Sequence, residues 1–277
     1  MRRLRIASVI GAVLFAGAVW WKAPSLNHRW LLLTATPAQA ADLQPSHRYL
    51  SVLFIGQSNA ANHGSARSSA PGPHRAWHEG QAKRLQDPLP GCSGVGGSVG
   101  VRLATTKPPT HDAWLVACAA QASTSIADWH PAGEPFRAAA RAISEISKLG
   151  IGPHWIVIHQ GETDAWLNTD AIKYEGELRA LVARLIALAP MARILLCQTT
   201  IHSKGAPLHA ELRAAQARVW VSLPQVWAGV DTDSFPERSR AWDGVHFNEK
   251  GLKVFASLLR RAIASPSDVP RRFGDEN

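Results

Sequence analysis

Five short apolar runs punctuate the chain, at 49–55 (YLSVLFI), 113–119 (AWLVACA), 154–159 (HWIVIH), 193–199 (RILLCQT) and 225–231 (QVWAGVD). Each is continuous rather than alternating and rich in Val, Ile, Leu or Trp, the pattern of strands buried on both faces. Between them, 134–149, 170–189, 207–223 and 248–264 carry apolar residues at three-and-four spacing, which predicts amphipathic helices. Asp170 and Asn248 stand where helix N-caps belong. Strands alternating with helices predict an α/β fold over 48–264, a three-layer α/β/α sandwich around a central, mainly parallel five-stranded sheet. The stretch 62–97, rich in Gly, Pro, Ser and His, interrupts the alternation and reads as a long irregular loop of the kind that carries function.

In a parallel sheet the ligand site lies beyond the carboxyl ends of the strands. Polar residues collect there: GQSNAANHG follows the first run, QGETDAW the third and DTDSFPERSRAWDGVHFN the last. A serine hydroxyl becomes a nucleophile when a base takes its proton and a third group holds that base. Ser58 supplies the hydroxyl. Asp243 and His246, three residues apart in a tight loop, let the carboxylate hold one ring nitrogen while the other turns toward the serine. Taken singly, Ser58 reads as a cap or turn residue and Asp243 as a cap beside a surface histidine. Their coincidence at one sheet edge favours catalysis. Glu162 and Asp164 look like an acid/base pair, but two residues apart after a strand they read better as loop ties, with Glu162 near Gln57 or Ser58.

Composition changes this picture little. The formal charge of +9 includes five basic and no acidic residues within 1–40, leaving 25 basic against 21 acidic residues in the remainder. No basic run interleaved with aromatics accompanies that +4, so no nucleic-acid partner is expected. Residues 1–40 start with Arg2, Arg3 and Arg5, continue with about sixteen apolar residues and offer a small-x-small site at Ala38, Gln39 and Ala40, the layout of an export signal. An uncleaved membrane anchor is the runner-up, although the apolar run is short of the roughly twenty residues a spanning helix needs. Both readings place the domain outside the cytoplasm, periplasmic or secreted, with a polar tail at 265–277. Cys92, Cys118 and Cys197 lack metal-site spacing and leave open which pair would form a disulfide there. His63, His111, His130, His159 and His202 also lack that spacing, so no metal is expected, and no phosphate-binding fingerprint suggests a cofactor. Trp129, Trp166 and Trp242 fall in loops at the expected site edge, where a flat ring could stack on sugars, with packing as the commoner role.

The ordered blocks GQSN, GVGGS at 94–98, HQGETDA at 159–165 and DGVHFN resemble those of the SGNH hydrolases, in the sialate O-acetylesterase-like branch that includes carbohydrate esterase family 6. The resemblance covers about residues 50 to 260. It implies Ser58 as nucleophile, His246 as base and Asp243 as the residue orienting it. It also implies an oxyanion hole made by the N–H groups of Ser58 and Gly97, with Gly96 close behind, and by the Gln160 side chain. Gln57, Asn59 and Glu162 would support the site. The branch often carries a Gly-Gly-Thr/Ser turn after the second strand, where this chain has AQASTSIADW, with Gln121 and Ala122 in place of glycines. The expected activity is removal of O-acetyl groups from a carbohydrate through an acetyl-serine. A polysaccharide O-acetyltransferase with the same triad and a non-catalytic glycan-binding domain are the alternatives.

Overall fold

The structure, a computed structural model, describes residues 39–266; the expected export segment and most of the polar tail lie outside them. Five strands form where the apolar runs fall: β1 (Tyr49–Gly56), β4 (Ala113–Cys118), β5 (Trp155–His159), β6 (Arg193–Gln198) and β7 (Val226–Asp231). Two more, β2 (Arg75–His78) and β3 (Gln81–Arg84), make the sheet seven-stranded rather than five-stranded, in the order β3-β2-β4-β1-β5-β6-β7. They form a hairpin inside the stretch read as an irregular loop. Their four-residue lengths and polar compositions leave no apolar run to see, and the turn rests on Glu79 and Gly80, both at positive φ as a two-residue hairpin turn requires. The β2–β3 pair is antiparallel and every other strand pair parallel. Residues 39–41 run along the β3 edge, with Ala41 N–H donating to the Ala82 carbonyl and Arg84 N–H to that of Gln39.

Among the described residues six α-helices accompany the sheet: α1 (Val99–Leu103), α2 (Glu134–Lys148), α3 (Glu162–Trp166), α4 (Ala171–Leu188), α5 (Ala210–Ser222) and α6 (Glu249–Ala264). The Asp170 and Asn248 side chains accept from the N–H groups of Lys173 and Gly251, capping α4 and α6. Leu53 and Ile55 of β1 pack in the core that holds α2, α4 and α5, while Val52 and Phe54 face the core that holds α1 and α6. Burial on both faces explains why the central strands are continuous apolar runs. β1 is the point at which the order reverses, with β2 and β4 on one side and β5 to β7 on the other. A crevice therefore opens beyond its carboxyl end.

The Gly-rich segment before α1 is fixed by a buried ion pair. Asp87 accepts from the N–H groups of Ser68 and Ser98 and from the Ser98 hydroxyl, and pairs with Arg102, which also reaches Glu249 at 2.6 Å and the Ala66 carbonyl at 2.8 Å. Burial pushes the Asp87 carboxyl up to about 6 against the opposing pull of Arg102 and its hydrogen-bond donors. Removing one partner of such a pair leaves an uncompensated buried charge. Arg102→Ala is therefore expected to cost about 3–5 kcal/mol, read as a lower denaturation midpoint in urea, and Arg102→Lys, lacking the guanidinium fork, to recover only part of it.

Candidate active site

At the end of β1 the chain must leave the sheet within one residue. Gly56 makes the turn at φ 118, where a Cβ would run into the His159 carbonyl of the neighbouring strand, and Gln57 N–H donates to that same carbonyl at 3.0 Å. A single 3-10 turn, Ser58–Ala60, follows. Ser58 is buried and does not cap this turn, since the N-cap position falls to Gln57. As the first residue of the turn its N–H has no intrahelical acceptor, and no other acceptor takes it among the described residues.

The flanking amides fix the turn in place. Gln57 Oε1 accepts from the Thr163 N–H at 3.1 Å and from Gln160 Nε2 at 3.3 Å. Asn59 Nδ2 donates to Glu162 Oε1 at 3.0 Å and to the Val245 carbonyl at 3.2 Å. Glu162 thus meets Asn59 rather than Gln57 or Ser58. The second bond matters more, because Val245 precedes His246: one amide ties the serine's turn to the histidine's loop.

Within that loop Asp243 uses both oxygens. Oδ1 accepts from the N–H groups of Val245 and His246, and Oδ2 meets His246 Nδ1 at 2.7 Å. Burial opposes ionisation of Asp243, but the hydrogen bond and charge of His246, with the two N–H donors, outweigh it and hold the carboxyl below the usual range. A carboxylate on Nδ1 fixes which ring nitrogen carries a proton. His63 stacks on His246 with ring centroids 5.2 Å apart and planes at 25°. Arg240 grips the loop from behind, donating to the Val245 carbonyl at 2.6 Å and the Thr232 carbonyl at 2.7 Å while lying over the Phe247 ring. Neither His63 nor Arg240 emerged as a site residue from the sequence, where one was weighed only as a metal ligand and the other sat unmarked in SRAWDG.

Two of the expected oxyanion donors are placed otherwise. The Gly97 N–H donates to the Gly64 carbonyl at 3.0 Å, and a Cβ there would collide with the Ala66 carbonyl, so Gly97 is a close-packing glycine with its donor already used. Gly96 N–H is likewise taken, by the Asn62 carbonyl at 2.7 Å. The Gln160 amide is wholly buried, and its NH2 group faces the Thr124 carbonyl at 2.6 Å, Asp164 Oδ2 at 3.0 Å and Gln57 Oε1. These bonds brace the floor of the site. Asp164 ties this floor to the turn after β4, accepting the Ile126 N–H at 3.0 Å. That turn lacks the family's glycines yet keeps a left-handed residue, Ser123 at φ 61.

The remaining candidates divide by burial. Trp129 is core, 1 % exposed, with its indole N–H on Thr124, whereas Trp166 and Trp242 are exposed. His159 is buried, its Nε2 paired with the Thr232 hydroxyl at 2.9 Å. Among the described residues no group of three or more His, Cys, Asp or Glu side chains converges, the three cysteines are free thiols, and no helix is long and apolar enough to cross a membrane.

A doubly wound sheet carrying the GQSN turn and the DGVHFN loop on one carboxyl edge defines the class of SGNH-type hydrolases. Within it, the family described as carbohydrate esterase, sialic acid-specific acetylesterase matches residues 50–265, and the chain belongs to that family, a family of carbohydrate acetylesterases. Three solved structures share the fold: an Arabidopsis thaliana protein (19% identity, 80% of this chain and 99% of that one, TM-score 0.63), NanS (13%, 79% and 97%, 0.53) and a family two carbohydrate esterase from Clostridium thermocellum in complex with cellohexaose (14%, 85% and 67%, 0.51). No curated protein matches the chain.

The bracing role of Gln160 has a measurable consequence. Gln160→Ala removes a donor from three buried acceptors, of which the Thr124 carbonyl keeps no other, and is expected to lower stability by about 1–3 kcal/mol in chemical denaturation. A hundredfold or greater fall in kcat at unchanged stability would instead return it to the oxyanion hole.

Proposed function

We propose that the protein is an exported serine esterase that removes O-acetyl groups from a carbohydrate through an acetyl-serine intermediate. The observation that carries this reading is the Asp243-held His246 in a loop hydrogen-bonded, through Asn59, to the turn that presents Ser58. His246 takes the Ser58 proton as Oγ bonds to the acetyl carbon, and the carbonyl oxygen becomes an oxyanion held by the Ser58 N–H. The C–O bond to the sugar then breaks, and His246 returns its proton to the departing sugar oxygen. Water, deprotonated by His246, attacks the acetyl carbon, the bond to Ser58 Oγ breaks as His246 returns the proton to Oγ, and acetate leaves. Asp243 stays ionised and stabilises the imidazolium in both halves. Export rests on the basic and apolar composition of residues 1–40. An acetyltransferase would share every step to the acetyl-serine and use a sugar hydroxyl in place of water.

Acetate release from a panel of acetylated glycans tests the mechanism. Ser58→Ala should abolish release and labelling by a serine-directed phosphonate, and Asp243→Asn should lower kcat by about 10⁴ at nearly unchanged stability. Equal release by wild type and Ser58→Ala would sink it. Acetate appearing without any sugar acceptor identifies a hydrolase; transfer only between donor and acceptor sugars identifies a transferase.

A further inference from the structure

Trp242 immediately precedes Asp243 and is 72 % exposed. Its exposure is not that of a loose loop. Segment 240–247 closes on itself: Arg240 and Phe247 form an antiparallel bridge, Ala241 N–H donates to the His246 carbonyl at 2.6 Å, and Gly244 N–H to the Ala241 carbonyl at 3.0 Å. Trp242 and Asp243 are the two corner residues of the turn 241–244, and Asp243 is turned inward onto His246. The same hydrogen bonds that fix the Asp–His pair therefore hold the indole out in water, at a neighbouring Cα about 3.8 Å away.

A rigid, exposed aromatic ring gains from burial by a ligand without a large ordering cost. The surroundings indicate what kind of ligand. Gly244 packs against Lys204, whose ammonium pairs with Glu237 at 3.0 Å, and the Lys204 and Glu237 side chains face water as Trp242 does. An isolated flat apolar ring in a charged, hydrated rim is a poor partner for a broad apolar protein surface. It suits a pyranose, which offers one apolar C–H face and keeps its rim of hydroxyls solvated. We propose that Trp242 is a sugar-stacking subsite that sets the acetylated ring against Ser58 and His246, and so determines which glycans are substrates. This rests on the esterase reading above and extends it from the acetyl group to the sugar.

The test compares wild type, Trp242→Phe and Trp242→Ala on acetylated xylo-oligosaccharides and O-acetylated sialic acid, with p-nitrophenyl acetate as the sugar-free reference. In Trp242→Ala, kcat/KM for the preferred acetylated sugar, relative to that for p-nitrophenyl acetate, should fall about tenfold, mostly through KM. Trp242→Phe, which keeps a smaller flat face, should recover part of the ratio. An unchanged ratio in Trp242→Ala would overturn the subsite while leaving the esterase reading intact, as would an equal loss on both kinds of substrate. Wild type that cleaves p-nitrophenyl acetate through Ser58 but no acetylated sugar would overturn the subsite together with the carbohydrate reading.

Discussion

The site depends on a steric constraint at one residue. β1 is buried on both faces, its backbone is hydrogen-bonded to β4 and β5, and at Gly56 it must leave the sheet while pressed against the His159 carbonyl. Any side chain at 56 would push the two strands apart. Because none is there, the Gln57 N–H reaches the His159 carbonyl and the next residues wind at once into a 3-10 turn with Ser58 in the lead. An abrupt exit gives the serine a defined position; a gradual one would spread it over the mobility of a loop.

Most of the polar groups around that exit are hydrogen-bonded to one another or to the backbone. The carboxamides of Gln57, Asn59 and Gln160 and the carboxylates of Glu162 and Asp164 link three chain segments, 57–59, 124–126 and 160–164, while Glu162 Oε2 is buried without a hydrogen-bond partner. In a low-dielectric interior each of these bonds is costly to break, so together they hold the floor of the site in one arrangement. The Asp87–Arg102 pair serves the opposite wall in the same way. It fixes a glycine-rich segment that has few side chains of its own with which to pack.

Much of this was legible in the chain. Apolar runs and helical spacing placed five strands and four helices, because a strand buried on both faces and an amphipathic helix each write their environment into consecutive residues. The hairpin of β2 and β3 was hidden since short, polar strands carry no such signature. Ser58, Asp243 and His246 stood out as residue types at one sheet edge, and the Asp243–His246 contact could be anticipated from spacing. Residue type alone does not say where a donor points. Gly97 and Gln160 have the right chemistry for an oxyanion hole, but their N–H groups are consumed by Gly64 and by Thr124 and Asp164. Arg240 and His63 act through contacts with the folded loop, and only the assembled structure reveals those.

The bond from Asn59 to the Val245 carbonyl closes a loop of 186 residues. During synthesis the serine emerges early, whereas the loop that would activate it is among the last parts of the domain to appear. For nearly the whole of translation the chain therefore lacks the contact that joins the turn of Ser58 to the loop of Asp243 and His246. Long-range contacts of this kind slow folding. In return, turnover in this architecture reports that the final segment has docked, so the appearance of enzymatic activity during refolding would serve as a clock for completion of the last folding step.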